Sequence, residues 1–352
     1  MSRKTNEDGA WREGPCKSTL LLYITLNCGR ERQAETRMIQ KWTTAQIPSQ
    51  AGRTAVVTGA NSGLGLETSV ALAAAGARVI MACRNPEKAA TALAELRRRV
   101  PGSDVALMTL DLSSLASVRA FAREVNERHS RLDLLINNAG IMGVPLSKTV
   151  DGFESQMGTN HLGHFALTGL LIDRLMATPG ARIITLGSLG HWRAKGLNLD
   201  DLGHERSQYS NFGAYCNSKL ANLLFVLELS RRLAARGADV VAAAAHPGFA
   251  ATNIKPVPTN PIIAPISAAY RRMITPIAVK YLLNSAEIGA LSTLYAATVP
   301  GVSGNDYFGP DGFKELRGYP APATRHPSAN DAATAQRLWE VSAALTGISY
   351  LD

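Results

Sequence analysis

Tyr215 and Lys219 stand one helical turn apart at the head of an apolar run through Leu220, Leu224 and Leu227. On a helix, that spacing puts both side chains on one face. A phenol is a poor acid or base near neutrality, with a pKa of about 10, and a neighbouring ammonium lowers it and opens a route to proton transfer. Such a pair also arises by chance on helical surfaces, so its meaning depends on what else converges there. Ser188 follows the apolar stretch 181–186, where its hydroxyl can hydrogen-bond a substrate oxygen and steady a developing alkoxide. Asn160, in Thr159-Asn160-His161-Leu162-Gly163-His164-Phe165, can hold a water that relays protons to Lys219. Each has a plainer reading, Ser188 as a cap and Asn160 as partner of a buried backbone group. His161 and His164 invite a metal, but no third ligand stands at a suitable spacing, so both are expected to pack or cap and no metal is expected.

A second group of residues could hold an anion. Thr58-Gly59-Ala60-Asn61-Ser62-Gly63-Leu64-Gly65 lies between an apolar strand-like run and a helix-like run. This is the context of a dinucleotide-binding turn. Gly59 allows the tight turn, Gly63 lets backbone N–H groups approach a pyrophosphate, and Gly65 permits close packing of helix on strand. The helix N-terminus then faces the anion. The next strand ends in Met81-Ala82-Cys83-Arg84-Asn85, with an arginine and no acid, which points to a 2′-phosphate and hence to NADP(H) rather than NAD(H). Further on, Asp111 with Leu112 can contact the adenine, and Asn138, Ala139 and Gly140 can line the cleft. For Asp111 the rival role is an N-cap, for which Ser113 or Ser114 competes.

The elements that must position these groups alternate regularly. Stretches 54–58, 78–83, 105–110, 132–136, 181–186 and 239–245 are apolar on both faces and predict buried strands. Between them, 64–75, 87–99 and 115–127 are long enough for helices. Strand, helix, strand at this rhythm predicts βαβ crossovers and a doubly wound α/β fold. No repeat or linker follows residue 53, so 38–352 is assigned to one domain. Residues 1–37 are polar and aperiodic, and are expected to be either a disordered extension or an upstream misreading of a start at Met38.

Of the bulk properties, 46% hydrophobic residues suffice for a core, and the formal charge of +9 suits anionic partners in general. The basic residues are scattered and lack interleaved aromatics, so nucleic-acid binding is not expected. Four irregularly spaced cysteines, Cys16, Cys28, Cys83 and Cys216, suit a reducing cytoplasm. The apolar run 20–26 is too short to span a bilayer and has no cleavage site after it.

Taken together, these residues resemble the short-chain dehydrogenase/reductase family, and within it the retinol-dehydrogenase-like group. Residues 58–65 match its T-G-x-x-x-G-x-G turn, 137–140 its N-N-A-G, Ser188 its serine, Tyr215 with Lys219 its Y-x-x-x-K, and Asn160 its fourth catalytic member. His246-Pro247-Gly248 with Thr252 resembles the turn near the nicotinamide, which adds Pro247, Gly248 and Thr252 to the expected cofactor contacts. The resemblance spans about residues 40–350. It implies a Rossmann-type three-layer fold with a seven-stranded parallel sheet. It also implies hydride transfer between NADP(H) and a carbonyl or alcohol, with Tyr215 as general acid or base and Tyr215 and Lys219 also touching the cofactor. Gly187 departs from the pattern, since many members carry a second serine there.

The region 249–285 is rich in Pro, Ile and Ala and carries Arg271 and Arg272. It is expected to cap a hydrophobic substrate, with contact at a membrane surface as the rival role. A homodimer or homotetramer is compatible with the resemblance. A catalytically silent NADP(H) sensor is the alternative function. It would dispense with Ser188, Tyr215 or Lys219, and all three are present.

Overall fold

The computed structural model describes residues 41–194, 196–203, 208–249 and 284–352. The stretch 1–37, Met38, Thr252 and nearly all of 249–285 lie outside the described residues.

Within the unit Trp42–Asp352 the strands are β1 (Thr54–Thr58), β2 (Arg78–Cys83), β3 (Val105–Thr109), β4 (Leu134–Asn137), β5 (Ala181–Leu186), β6 (Val240–Ala245), β7 (Tyr307–Pro310) and β8 (Pro320–Pro322). Their order is β3-β2-β1-β4-β5-β6-β7-β8. All neighbours are parallel except the β7/β8 pair, which is antiparallel. The doubly wound α/β expectation therefore holds, with eight strands in place of seven. The added strand, β8, consists of Pro-Ala-Pro. Proline donates no ladder hydrogen bond and is tolerated only at an edge, so nothing apolar or alternating marks this strand in the sequence.

The helices are α1 (Gly63–Ala74), α2 (Pro86–Arg99), α3 (Leu115–Arg128), α4 (Gly163–Met176), α5 (Asn211–Ala235), α6 (Ala286–Thr298) and α7 (Ala332–Thr346). Side chains of β1 alternate between two cores. Val56 joins a cluster with Val118, Phe165, Leu224 and Leu338 from α3, α4, α5 and α7. Ala55 and Val57 join Leu72, Leu96 and Leu294 from α1, α2 and α6. Period-two exposure of strand faces thus builds a layer of helices on each side. Helix α5 is buried on most of its circumference because α7 covers its outer side. There Trp339 stacks on Phe225 with ring centres 5.9 Å apart, and the Arg232 guanidinium sits 4.6 Å over the Trp339 ring.

Local signals start the helices where the sequence suggests. Asn85 caps α2, accepting from the Lys88 N–H at 2.8 Å, with Pro86 in the first turn. Ser114, not Asp111, caps α3. Among the described residues, no helix is long and apolar enough to cross a membrane. The strand order reverses between β1 and β4, and in open α/β sheets a ligand crevice forms outside the carboxyl ends at such a switch point.

Candidate active site

At that switch point lies a cleft of about 440 Å³ lined by Gly59, Asn61, Ser62, Gly63, Leu64, Gly65, Arg84, Asp111, Leu112, Asn138, Ala139 and Gly140. Gly59 and Gly63 have φ of +66° and +54°, the left-handed region that a side chain disfavours. A Cβ on Gly65 would sit 2.4 Å from the Gly59 carbonyl oxygen and 2.6 Å from Asn138 Nδ2. The turn is therefore packed tightly enough that only bare backbone fits, and its N–H groups are presented to the cleft at the start of α1. Arg84 is exposed at the rim. Asp111 accepts from the Ser113 N–H at 2.9 Å and from its hydroxyl at 2.6 Å, a local turn that fixes the carboxylate at the cleft.

Two of the expected catalytic residues, Asn160 and Lys219, come together at Gly140. A Cβ there would lie 3.2 Å from Asn160 Oδ1 and 3.7 Å from Lys219 Nζ, so the glycine keeps the space between the two open. Lys219 is buried and donates to the Leu186 carbonyl at 2.9 Å. Among the described residues no carboxylate pairs with it, and burial pushes its pKa down to about 8. The Tyr215 ring centre is 5.9 Å from Nζ. Burial raises the Tyr215 phenol above its ordinary value, and its interaction with Ser188 offsets part of that rise. The expectation that the Lys219 ammonium lowers this phenol is thus corrected. The ammonium is turned to a main-chain carbonyl, and desolvation dominates at the ring.

Ser188 is both cap and neighbour. Its Oγ accepts from the Gly190 N–H at 3.0 Å, starting a short 3-10 turn, Leu189–Arg193. A Cβ on Gly190 would lie 3.2 Å from the Tyr215 ring and 3.3 Å from Ser188 Oγ, so this glycine lets the two approach. Asn160 lies on a π-helical turn, Gly158–Leu162, ahead of α4, a distortion frequent at functional sites. Its side chain is fully engaged, with Oδ1 accepting from the Ile141 N–H at 2.8 Å and Nδ2 donating to the Ile141 carbonyl at 3.0 Å and to Ser218 Oγ at 2.9 Å.

Pro247 and Gly248 follow β6 and do not line the cleft. The Asn284 amide donates to the Pro247 carbonyl at 3.0 Å, and Gly248 has a φ of +67°. Next to them a second cavity of about 560 Å³ is lined by Leu189, Gly190, Trp192, Arg193, Phe212, Phe249, Lys314, Glu315, Leu316 and Thr324. The Phe212 ring stacks on Tyr215 with centres 6.2 Å apart, which joins this cavity to the tyrosine.

Several contributors carry no sequence signal. Glu315 accepts from the Thr324 N–H at 2.8 Å and its hydroxyl at 2.7 Å, and its other oxygen meets His246 Nε2 at 3.0 Å. Lys314 and Glu315 both have positive φ, 49° and 56°, a costly backbone that this clasp sustains. Tyr307 lies fully buried over Gly187, where an added Cβ would be 3.1 Å from its hydroxyl oxygen. That accounts for glycine where many relatives of the resembled family carry serine. His161 and His164 point apart. Nε2 of His161 meets Ser342 Oγ at 2.9 Å, and His164 meets Thr58 and Asn160.

The sequence matches the short chain dehydrogenase family profile over residues 53–259. It is 43% identical over 314 residues to retinol dehydrogenase 13 of Homo sapiens, covering 86% of each chain. It is 40% identical over 318 residues to retinol dehydrogenase 14 of Homo sapiens, covering 84% of this chain and 87% of that one. Among solved structures it is similar to an uncharacterised protein from Mycobacterium paratuberculosis, at 42% identity and a TM-score of 0.71, covering 88% of this chain and 99% of that one. It is also similar to the Pseudomonas aeruginosa RhlG/NADP active-site complex, at 26% identity and a TM-score of 0.55, covering 73% of this chain and 94% of that one.

Proposed function

Since the chain belongs to the short-chain dehydrogenase family and is an alcohol/carbonyl oxidoreductase of retinol-dehydrogenase-like type, we propose that it uses NADP(H) and that Tyr215 moves the proton. The observation that carries this reading is the buried Lys219 ammonium, beside Gly140 of the glycine-lined cleft and 5.9 Å from the Tyr215 ring centre. A charge buried without a carboxylate is costly to the fold, and such cost is commonest where chemistry requires it.

The cleft fits a dinucleotide. The positive-φ glycines, the space that a Cβ on Gly65 would fill and the N-terminus of α1 form an anion cradle, and Arg84 stands where a 2′-phosphate would be met. Bound there, NADP(H) supplies or accepts the hydride. Ser188 and Tyr215 would hold the substrate oxygen between their hydroxyls. In reduction Tyr215 gives its proton to that oxygen, and in oxidation it takes one. Lys219, with its ammonium 5.9 Å from the Tyr215 ring centre, has a depressed pKa that suits it to pass a proton onward near neutrality. Asn138, Ala139 and Gly140 line the same cleft, while the resemblance assigns Pro247, Gly248 and Thr252 to the nicotinamide end.

The aromatic and aliphatic lining of the second cavity supports a hydrophobic carbonyl or alcohol as substrate. The names of the retinol dehydrogenases suggest testing retinoid-like aldehydes among them. The deciding experiment follows NADPH oxidation against a panel of apolar aldehydes and ketones with wild type and Tyr215→Phe. Turnover by wild type, lost in the variant at nearly unchanged NADPH affinity, is expected. NADPH binding without turnover of any carbonyl would favour a cofactor sensor instead.

A further inference from the structure

His164 is wholly buried, and its ring bridges the π turn and the carboxyl end of β1. Nδ1 lies 3.0 Å from the main-chain carbonyl oxygen of Asn160, and Nε2 lies 2.9 Å from Thr58 Oγ1. A carbonyl oxygen can only accept, so Nδ1 must carry a proton. In a neutral ring Nε2 is then purely an acceptor, and Thr58 must direct its single hydroxyl proton there. Both lone pairs of Thr58 Oγ1 remain for the N–H groups of Asn138 and Ala139, each at 2.9 Å. The Ile136 carbonyl, 3.3 Å from the same hydroxyl, receives no proton in this arrangement. Every donor and acceptor of the imidazole and the hydroxyl is matched.

Neither other protonation state does as well. With the proton on Nε2, a bare Nδ1 lone pair would face the Asn160 carbonyl oxygen. A doubly protonated ring would bury a second cation near Lys219 and next to His161, with no carboxylate among the described residues to balance it. Burial and Lys219 accordingly push the ring's pKa down to about 4, against the opposing hydrogen bond to Asn160.

We propose that His164, as the neutral Nδ1-protonated tautomer, is a positioning residue that ties the Asn160 turn to the Thr58, Asn138 and Ala139 wall of the cleft. Through it, placement of the dinucleotide and placement of the proton-handling groups become one rigid unit. This rests on the oxidoreductase reading above, but its first test needs no turnover.

The full-length protein with 15N-labelled histidine is examined by NMR. Two imidazoles are expected to show a protonated Nδ1 and a bare Nε2, unchanged down to about pH 5, because His191 also faces a carbonyl through Nδ1 and accepts a main-chain N–H at Nε2; the one lost in His164→Phe is His164. A protonated Nε2 on that ring, or its taking a second proton near pH 6.5, overturns the proposal. Kinetics then separate positioning from space filling. His164→Phe fills the volume without either hydrogen bond and is expected to lose about tenfold to a hundredfold in kcat and to weaken NADPH binding. His164→Asn, which keeps a donor near the Nδ1 position, is expected to recover part of kcat while NADPH binding stays weak. Wild-type kinetics in folded His164→Phe would overturn the proposal. If the His164 variants fail to fold, the His164 ring is assigned as the Nδ1-protonated signal that persists in His191→Phe, and its tautomer decides. If no carbonyl is turned over by wild type, the reading of activity fails while the tautomer and NADPH affinities still decide the tie.

Discussion

The Lys219 ammonium lies 2.9 Å from the Leu186 carbonyl oxygen, which also accepts from Asn222 Nδ2 at 3.0 Å. Helix α5 is thereby joined to the end of β5 next to Ser188. Because Asn222 shares the acceptor, the carbonyl keeps a partner if the lysine is removed, and what disappears is a buried cation.

Lys219→Met is therefore expected to abolish turnover and to raise thermal stability at pH 7. The folded pKa of about 8 lies below the ordinary lysine value of 10.5, so the fold disfavours the charged form. That penalty is fully present below pH 8 and is relieved as pH rises through 8 toward 10.5. It is on the order of 3 kcal/mol. Melting curves of both proteins across this range check it. A variant less stable than wild type at pH 7 would show that the lysine's packing and hydrogen bond outweigh its desolvation.

Gly65→Ala places a methyl group 2.4 Å from the Gly59 carbonyl, which belongs to the turn itself and has no room to retreat. The expected result is a loss of about 1–3 kcal/mol in stability and a marked loss of NADPH affinity. Fluorescence titration and a melt measure both. Wild-type affinity in the alanine variant would remove this turn from cofactor binding.

Arg84→Asp exchanges an exposed cation at the rim of the cleft for the acid that would accept from a ribose 2′-hydroxyl. The ratio of kcat/KM for NADPH over NADH is expected to fall by at least about tenfold, the loss of one charge-assisted contact. An unchanged ratio would leave the 2′-phosphate assignment without its residue.

Glu315 is pushed up by burial, but its hydrogen bonds with His246 and Thr324 prevail and hold the carboxyl down at about 2, below the ordinary glutamate value of 4.5. Its contribution to stability is thus present above pH 4.5 and lost as pH falls through 2. Glu315→Gln is expected to melt lower than wild type at pH 6, with the gap closing on acidification. A gap independent of pH would mean that the carboxylate charge is not what holds the Lys314–Glu315 turn.

The residues themselves determined much of this protein. Apolar runs of strand length, the glycine spacing after β1 and the four-residue interval of Tyr215 and Lys219 express local rules of backbone geometry, which act within a few residues and survive in the text. They predicted the doubly wound sheet, the glycine-lined cleft and the closeness of Tyr215 and Lys219 on one helix. Tertiary structure decided the rest, because it depends on groups far apart in the chain. Strand β8 exists only because β7 offers it an edge. Glu315 matters only because β6 brings His246 within 3.0 Å. The phenol of Tyr215 is raised rather than lowered because α5 is buried against the sheet and desolvation there exceeds the pull of an ammonium turned toward Leu186. Burial and long-range hydrogen bonding set these properties, and neither is written in the spacing of residues along a helix.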